Sequence, residues 1–347
     1  MIVAIILFLL LGFSVLMNFS HLVGSVLGEG GLQSRRVAGP RLDEIVLEDN
    51  DAKAKLAVVP VEGIITSSMI DASGYSMVDV IKAQLDLAAE DEQVKAVLLK
   101  VDSPGGEVLA SDDISKAIAQ FQADKKHGKP VIVYMGSLAA SGGYYVSAPC
   151  RWIMANELTI TGSIGVIMST WNYRGLMNKV GVRPLTFKSG KFKDMLSGTR
   201  EPDDIPAEER AMVQALIDET YEKFKGVVDE GRKTAFAHNE KSKVKGRALV
   251  ENWRDYADGR ILTGKEAHKL GFVDELGDFE DAADRAAEIA GVEGGFNLIE
   301  YRLRHDLAEM FRLFGRSEAR GLKIDLGLEF PKLQAGHLYF LSPTYLH

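Results

Sequence analysis

The sequence is poor in cysteine, with Cys150 alone among 347 residues. A lone cysteine excludes a disulfide within the chain and any metal site that needs several thiolates. The preceding residues Ser147-Ala148-Pro149 include no histidine or aspartate, and we interpret Cys150 as a plain buried or half-buried thiol. The seven histidines are scattered, and none has the spacing of a metal-binding motif. The sequence therefore predicts no metal site.

An excess of positive charge is also absent, since the formal net charge is −8. Nucleic-acid binding needs a basic surface, and the sequence shows no basic stripe with interleaved aromatic residues. We therefore predict no nucleic-acid partner. Apolar residues make up 46% and charged residues 26%, which is ordinary for a globular protein of a length that buries a sizeable core.

The N-terminal segment lacks charge, and residues 2–17 are almost entirely apolar. With the milder stretch to Leu27 they are long enough for a membrane-spanning helix of about 20 residues. A cleaved signal peptide and a buried core helix are the alternatives, but no basic residue precedes the run and no clear A-x-A cleavage site follows it. We predict a transmembrane anchor over residues 1–27. Three basic residues follow the run: Arg35, Arg36 and Arg41. By the positive-inside rule, they favour a location of most of the chain in the cytoplasm.

After the anchor, residues 28–54 are glycine-rich and then charged, without periodicity, and predict a linker. From Leu56 onward, short apolar strands alternate with helices. The strand candidates are 56–61, 94–101 and 130–134, and the helix candidates are 78–89 and 108–123. This alternation predicts an α/β domain over residues 55–298, with a sheet covered on both faces. Residues 299–347 form a C-terminal tail with an apolar, aromatic end.

A candidate nucleophile, Ser141, lies in the segment 136–145, which reads Gly-Ser-Leu-Ala-Ala-Ser-Gly-Gly-Tyr-Tyr. The segment follows a predicted strand and looks like a helix start, where free N–H groups and the helix dipole favour an oxyanion. Small residues on both sides let a ligand backbone approach the hydroxyl. The serine-hydrolase elbow G-x-S-x-G lacks its first glycine here, because residue 139 is alanine. A capping serine in tight helix–sheet packing is the alternative interpretation.

Two further segments carry compatible chemistry. The turn Asp102-Ser103-Pro104-Gly105-Gly106 ends a strand, and a glycine pair is able to present N–H groups to an oxyanion. An ordinary strand-to-helix turn is the alternative there. Residues 188–194 contain three lysines, a pattern typical of a solvated surface. A lysine base must be uncharged, which requires shelter from water and an orienting hydroxyl, and Thr161-Gly162-Ser163 is one source of that hydroxyl.

Residues 259–265 match the first seven positions of the phosphate-binding loop G-x-x-x-x-G-K-[ST], but the eighth residue is Glu266 instead of a hydroxyl. Thr263 and Glu266 have the spacing of a helix capping box, and Gly271 is placed to end that short helix. We predict no nucleotide site there. A Ser-His-Asp triad remains an alternative to lysine chemistry, because its members need not be neighbours in sequence.

Over residues 57–276 the sequence resembles the signal peptide peptidase A family, in its short, single-repeat form. The resemblance rests on several blocks in the same order along the chain: 102–106, 136–145, 161–166, 188–194 and 258–264. It implies the fold of Clp protease subunits and crotonases, built from repeated β-β-α units and preceded here by one N-terminal transmembrane helix. It also implies peptide-bond hydrolysis by a serine/lysine dyad without any cofactor.

The resemblance assigns roles to individual residues. Ser141 corresponds to the nucleophile. Lys193 corresponds to the general base, because the family places the base directly before the aspartate, which selects it over the two neighbouring lysines. Ser163 corresponds to the hydroxyl that orients the lysine. The oxyanion hole corresponds to the backbone N–H groups of Gly106 and Gly142.

The resemblance further implies a membrane-anchored endopeptidase that degrades cleaved signal peptides and other extended apolar peptides in the membrane. The implied location is a bacterial-type cytoplasmic membrane, crossed once, with the catalytic domain on the extracytoplasmic side, against the direction that the basic residues favour. Family members of this length form homo-oligomeric rings of about eight subunits, so that a complete site would need residues from two neighbours. As a further hypothesis, the apolar C-terminus occupies the peptide groove of its own chain.

Two other function classes fit parts of the sequence: a non-catalytic membrane scaffold of the same fold, and a crotonase-type acyl-CoA enzyme. The scaffold predicts loss of the dyad, yet both members are present. The acyl-CoA enzyme needs acidic residues that face a thioester, and the turn after the strand offers Glu107 at best. Both features favour the peptidase.

Overall fold

The fold is organised around a mostly parallel sheet. The structure is a computed structural model that describes residues 39–69, 74–304 and 339–341. The first elements in chain order are β1 (Leu42–Glu48), β2 (Ala54–Glu62), α1 (Met77–Glu90), β3 (Val94–Ser103), β4 (Gly105–Glu107), α2 (Val108–Ala123), β5 (Val131–Ala140), α3 (Gly142–Ser147), β6 (Trp152–Ala155) and β7 (Ile160–Gly162). They are followed by α4 (Arg174–Lys179), α5 (Ala207–Lys241), β8 (Ile261–Thr263), α6 (Gly264–Lys269), β9 (Glu275–Leu276), α7 (Phe279–Ile289), β10 (Phe296–Leu303) and β11 (Tyr339–Leu341), with 3₁₀ turns at Pro202–Asp204 and Trp253–Tyr256.

The described strands of the main sheet lie in the order β1-β10-β2-β3-β5-β6-β9, with β7 joined to β5 and β8 joined to β7. The pairs β1–β10 and β7–β8 are antiparallel, and the other neighbours are parallel. Parallel neighbours need crossover connections, and helices supply several of them here. The carboxyl ends of β3, β5 and β7 consequently meet at one edge, where the candidate site residues follow.

The central strands bury side chains on both faces. In β2, Ala57, Val59 and Val61 enter one core, whereas Leu56 and Val58 enter a second core on the opposite face. The first core is closed by α1, α2 and α3, and the second by the alanine-rich face of α7. Successive side chains of a strand point to opposite faces, which explains the division. Burying one such valine or leucine contributes about 1.5–3 kcal/mol, so these strands hold the sheet edge rigidly.

The predicted α/β architecture is confirmed, and the position of one strand end is corrected. The sequence prediction ended the third strand at Tyr134, but β5 continues to Ala140 and α3 begins at Gly142. Its last residues are small, and they remain extended because they pair with β7, with Ala139 opposite Thr161. Local preference for a helix start was therefore overridden by a partner strand distant in sequence.

Two predicted boundaries differ from the observed elements. Strand β1 lies inside the predicted linker 28–54, and β10 runs across the predicted domain boundary at residue 298. The two strands pair with each other, and β10 also pairs with β2. Six of the seven residues of β1 are exposed. Its sequence, LDEIVLE, also lacks the alternation of apolar and polar residues that marks a half-buried strand. Its partner lies far along the chain, which hides the pairing from local sequence analysis.

The predicted anchor over residues 1–27 lies outside the described residues. Within the described ranges, no helix is both long enough and apolar enough to cross a membrane. The described residues from Pro40 to Arg304 belong to one compact unit.

Candidate active site

Ser141 is the single residue between β5 and α3. Its φ of 55° and ψ of −115° place it in a region that glycine adopts easily and other residues adopt at a cost of about 1–3 kcal/mol. Two backbone hydrogen bonds hold this conformation: Ser141 N–H donates to Gly162 O over 2.8 Å, and Tyr145 N–H donates to Ser141 O over 2.8 Å. The chain turns sharply there and presents the serine side chain at the sheet edge, as in a nucleophile elbow.

The Ser141 hydroxyl is buried but unpaired. The residue is 1% exposed, and its Oγ has no hydrogen-bond partner among the described residues. Buried hydroxyl groups in native proteins nearly always have a partner, and losing one costs about 1–3 kcal/mol. The hydroxyl is therefore available to a group other than the described residues around it.

Two tyrosines fix the short helix that follows the serine. Tyr144 Oη donates to Phe272 O over 2.9 Å, and Tyr145 Oη donates to an Asp112 carboxylate oxygen over 2.7 Å. Burial raises the pKa of both tyrosines well above the ordinary value. They therefore stay protonated at neutral pH and act as anchors of α3 instead of as acids or bases.

Gly106 and Gly142 lie against each other beside the serine. A Cβ built on Gly142 would come within 3.1 Å of Gly106 N and 2.7 Å of Ser111 Oγ. A Cβ on Gly106 would lie 1.9 Å from the carbonyl oxygen of Ile65, so a larger residue does not fit without backbone movement. The absence of side chains thus brings two main-chain N–H groups together next to Ser141. This is the arrangement that stabilises an oxyanion.

The turn that carries Gly106 is held from both sides. Ser103 Oγ donates to Gly63 O over 2.6 Å and accepts from Gly105 N–H over 3.1 Å. The buried Glu107 carboxylate accepts hydrogen bonds from Thr66 Oγ1, 2.9 Å, and from the backbone N–H and hydroxyl of Ser67, 2.9 and 2.5 Å. Glu107 therefore ties two loops together and does not serve as the free acid that acyl-CoA chemistry needs.

A backbone hydrogen bond to the preceding residue, Gly162, brings Ser163 close to the nucleophile. It directly follows Gly162, whose carbonyl accepts the Ser141 N–H, and it is buried with a φ of 51°. Its own N–H donates to Arg260 O over 2.7 Å. The structure thus brings the candidate orienting hydroxyl and the candidate nucleophile to the same edge of the sheet, at the ends of β7 and β5.

The segment that resembles a phosphate-binding loop supports this edge. Arg260 donates two side-chain hydrogen bonds to Asp258, over 2.7 and 2.6 Å, and these bonds lower the pKa of Asp258 to about 2. The pair orders the turn whose carbonyl holds Ser163. Thr263 Oγ1 accepts from Glu266 N–H over 3.2 Å, and the Glu266 carboxylate accepts from Thr263 N–H over 2.9 Å. The predicted capping box is confirmed.

The structure does not bring Lys193 to the serine within one chain. Lys193 is exposed and belongs to residues 166–205, here called the arm, in which no residue is buried. Trp171 and Phe187 of the arm are 86% and 88% exposed. The arm is nonetheless ordered by internal bonds, including Tyr173 N–H to Gly198 O over 2.9 Å. The described residues therefore leave an apolar surface and Lys193 uncovered on the arm.

The two neighbouring lysines are already engaged. Lys188 Nζ lies 2.7 Å from an Asp194 carboxylate oxygen, and Lys191 forms an ion pair with Glu208. Among the described residues, Lys193 has no comparable carboxylate partner. The choice of Lys193 over its neighbours stays a prediction.

A short strand of the C-terminal tail lies against the glycine turn. Strand β11 pairs antiparallel with β4, with Phe340 opposite Gly106, and Tyr339 forms a bridge with Ile167. The sequence analysis did not identify Ile167 or Ile65 as parts of the site. Both contribute backbone groups, which carry no residue-specific signal in a sequence.

The chain is similar to several solved structures, among them a ClpP1 variant. This variant, from Listeria monocytogenes, is 16% identical with a TM-score of 0.36, and the match covers 65% of this chain and 94% of that one. The repeated β-β-α organisation within the α/β fold stays a prediction.

Sequence comparison identifies the family. Residues 123–293 match peptidase family S49. A Synechocystis protein named as a candidate protease is 39% identical over 241 residues, which span 70% of this chain and 76% of the relative. An Enterococcus faecium protein named as a candidate signal peptide peptidase A is 38% identical over 70% of this chain and 66% of its own length. The chain therefore belongs to peptidase family S49, the family of signal peptide peptidase A, and is a serine-type peptidase.

Proposed function

We propose that this peptidase is a membrane-anchored homo-oligomer that hydrolyses extended apolar peptides, with Ser141 as nucleophile and Lys193 as general base. The observation that carries the proposal is the buried Ser141 hydroxyl, which has no partner among the described residues and lies beside Gly106 and Gly142. A strained backbone and an unpaired hydroxyl both oppose folding, so their coincidence at one residue indicates a functional use.

The reaction follows from the arrangement. Ser141 Oγ attacks the scissile carbonyl carbon while Lys193 accepts the hydroxyl proton, and the developing oxyanion receives hydrogen bonds from Gly106 and Gly142 N–H. The protonated lysine gives its proton to the leaving amine as the C–N bond breaks. A water molecule, deprotonated by the same lysine, then hydrolyses the acyl-serine. Ser163 orients the lysine in this scheme, and no cofactor is required.

The lysine needs a second copy of the chain. An exposed ammonium stays charged and is a poor base, whereas a sheltered one loses its proton more readily. The arm carries both Lys193 and the exposed side chains of Trp171 and Phe187. Docking of the arm onto a neighbour would bury that apolar surface and deliver Lys193 to the neighbour's Ser141. We therefore propose a dyad assembled between subunits of a closed ring of about eight.

Membrane attachment and substrate class belong to the same proposal. The uncharged run at residues 2–17 supports a single-pass anchor, and the resemblance supports a catalytic domain on the extracytoplasmic side of a bacterial-type cytoplasmic membrane. The name of the Enterococcus relative supports cleaved signal peptides as substrates. Such peptides are apolar and extended, which suits a groove lined by strand backbones.

The test is hydrolysis of a fluorogenic peptide with small or apolar residues before the scissile bond, using the full chain in detergent. Ser141→Ala and Lys193→Ala are expected to lose nearly all activity, and the matched control Lys191→Ala to retain it. A fluorophosphonate should label the wild type but not Ser141→Ala. An active Lys193→Ala variant would place the base elsewhere and revive the histidine triad.

Mixing the two inactive variants tests the location of the dyad. If Lys193 acts on the neighbouring subunit, co-assembled Ser141→Ala and Lys193→Ala chains regain up to about a quarter of wild-type activity, because one junction in four joins an intact serine to an intact lysine. A dyad within one chain predicts no recovery. The double variant Ser141→Ala/Lys193→Ala, mixed with wild type, controls for simple dilution.

A further inference from the structure

Glu209 is a buried carboxylate at the start of α5. It lies in the first turn of that helix and is 2% exposed. A carboxylate is almost never buried so completely unless it is paired. Both of its oxygens have partners in the arm: Oε1 accepts from Leu196 N–H over 3.1 Å, and Oε2 accepts from Arg200 Nη1 over 2.7 Å. One buried side chain therefore joins the arm to α5.

The bond to Leu196 fixes the backbone three residues after Lys193. Leu196 has a φ of 63°, which residues with a Cβ rarely adopt. Such a conformation persists only where surrounding contacts hold it. Here the contacts are the bond to Glu209 and the turn that follows, in which Ser197 N–H donates to Asp194 O over 3.1 Å. The chain next to Lys193 is thus held on its C-terminal side.

Arg200 extends the contact to Asp194, the residue directly after Lys193. Its Nη1 lies 2.7 Å from the Glu209 carboxylate and 3.7 Å from an oxygen of the Asp194 carboxylate. The same Asp194 oxygen lies 2.7 Å from Lys188 Nζ. The side chains of Arg200 and Glu209 are 18% and 3% exposed, so water screens their pair less than an ordinary surface ion pair. Glu209 therefore also holds Asp194, through Arg200.

The helix that carries Glu209 is a rigid support for the arm. Farther along α5, Phe224 and Val228 are fully buried in the first core. No residue of the arm is buried, so no core of its own fixes its shape. A segment with few buried contacts depends on individual hydrogen bonds and ion pairs for its order. Glu209 therefore links the turn that carries Lys193 to the part of the chain that the core holds in place.

We propose that Glu209 is a positioning residue for catalysis, because it holds the turn of the arm from which Lys193 reaches the nucleophile of the neighbouring subunit. The inference rests on the proposed function, in which Lys193 is the base. Both partners of the Glu209 carboxylate lie in the arm, so Glu209 acts on the reaction through Lys193. Misplacing a catalytic group by about 1 Å is enough to slow a reaction by about 10²-fold.

Peptidase kinetics of the full chain in detergent test this role. Glu209→Ala should lower kcat by about 10–10²-fold with KM nearly unchanged, because a misplaced base slows the chemical step without removing contacts to the peptide. Glu209→Gln keeps an acceptor for Leu196 N–H but loses the charge that faces Arg200, so its kcat should be intermediate. Glu208→Gln is the matched control: its ion pair with Lys191 is exposed, and kcat should stay at the wild-type value.

Two further measurements separate misplacement of the base from loss of assembly. The rate at which a fluorophosphonate labels Ser141 should fall in parallel with kcat in Glu209→Ala, because labelling needs the same base but no peptide. Sedimentation velocity should show oligomers of wild-type size. Dissociation of Glu209→Ala, together with a wild-type kcat in Glu209→Gln, would assign Glu209 to assembly and overturn the inference.

Hydrogen exchange, measured by mass spectrometry, tests the contact without any catalysis. In a Ser141→Ala background, Glu209→Ala should speed amide exchange in peptides that cover residues 194–200, because Leu196 N–H loses its acceptor. Glu208→Gln in the same background should leave exchange in this segment unchanged. If Glu209→Ala also leaves it unchanged, the carboxylate does not hold the turn and the inference is wrong.

The outcomes distinguish this inference from the proposed function. If Lys193→Ala is inert but Glu209→Ala keeps the wild-type kcat, the dyad stands and the positioning role is wrong. A raised KM with a normal kcat in Glu209→Ala would also contradict the role, since it would indicate a contact with the peptide. If Lys193→Ala is active, the assigned base is wrong and the inference fails with it.

Discussion

The backbone N–H of Ser141 donates a 2.8 Å hydrogen bond to the carbonyl oxygen of Gly162. This bond joins the ends of β5 and β7, and it brings Ser141 next to Ser163, the residue after the acceptor. Both serines have positive φ angles, 55° and 51°. Their positions are fixed by main-chain bonds and not by their hydroxyl groups. Side-chain substitutions at either position should therefore leave the fold intact and report on chemistry.

Backbone strain at the nucleophile predicts a difference between two inactive variants. Ser141→Gly should be more stable than Ser141→Ala by about 1 kcal/mol, because both lack the hydroxyl and only alanine keeps a Cβ at φ 55°. The greater flexibility of glycine in the unfolded chain offsets part of the gain. Urea unfolding of the two variants measures the difference. Equal stabilities of the two variants would mean that the backbone at residue 141 stores no strain.

Gly106 lies so close to Ile65 that adding one methyl group at Gly106 is expected to have a large effect on activity. Gly106→Ala should lower kcat on the order of 10²–10³-fold, because the turn must move and carries an oxyanion donor with it. Gly226→Ala is the matched control: nothing lies within 4 Å of its Cβ position in the middle of α5, and it should stabilise the protein by about 0.5–1 kcal/mol. Peptidase kinetics and urea unfolding check both. An unaffected Gly106→Ala would remove this residue from the site.

Charged substitutions on the exposed apolar surface of the arm are expected to weaken the assembly of subunits. Trp171→Glu combined with Phe187→Glu should reduce the oligomer size and the peptidase activity together, because charges on an apolar contact surface oppose docking. The unfolding midpoint of the isolated chain should not change. Sedimentation velocity measures the size. Leu158→Glu is the control, since Leu158 is 83% exposed but lies outside the arm. Full-size oligomers of the double variant would contradict an interface at the arm.

Removing one partner of a buried ion pair is expected to cause a large loss of stability. Arg232 is fully buried, pairs with Asp274 and donates to Cys150 O over 3.1 Å. Arg232→Ala leaves the Asp274 carboxylate buried without its partner and should cost about 3–5 kcal/mol. Arg302→Ala, which breaks the half-exposed pair with Glu300, should cost less than about 1 kcal/mol. Chemical denaturation of both variants measures the two losses of stability. Similar losses would contradict this prediction.

Burial of the single cysteine predicts protection from thiol reagents. Burial raises the pKa of the Cys150 thiol far above its ordinary value, so the reactive thiolate is scarce at neutral and mildly alkaline pH. A thiol reagent at pH 8 should leave the native protein unmodified and label one thiol per chain after denaturation in guanidinium. Rapid labelling of the native protein would show that the thiol is accessible.

Much of the candidate site could be predicted from the sequence, because its chemistry is confined to short local segments. The apolar runs of β2, β3 and β5 indicate a buried parallel sheet, since such strands are apolar on both faces. The small residues around Ser141 and the glycine pair at the end of β3 indicate close backbone approach. The capping box of Thr263 and Glu266 follows from residue spacing alone, and the structure confirms it.

The tertiary structure decided what depends on partners distant in sequence. Strand β1 is nearly all exposed and exists because β10 offers it an edge, while β5 reaches Ala140 because β7 pairs with its last residues. The positive φ of Ser141 and the position of β11 arise from backbone hydrogen bonds that most residue types can make, and the contact of Gly106 with Ile65 depends on a partner distant in sequence. Residue identity therefore determined the sheet and its chemistry, and long-range backbone pairing determined the geometry of the site, because main-chain hydrogen bonds carry no side-chain signature.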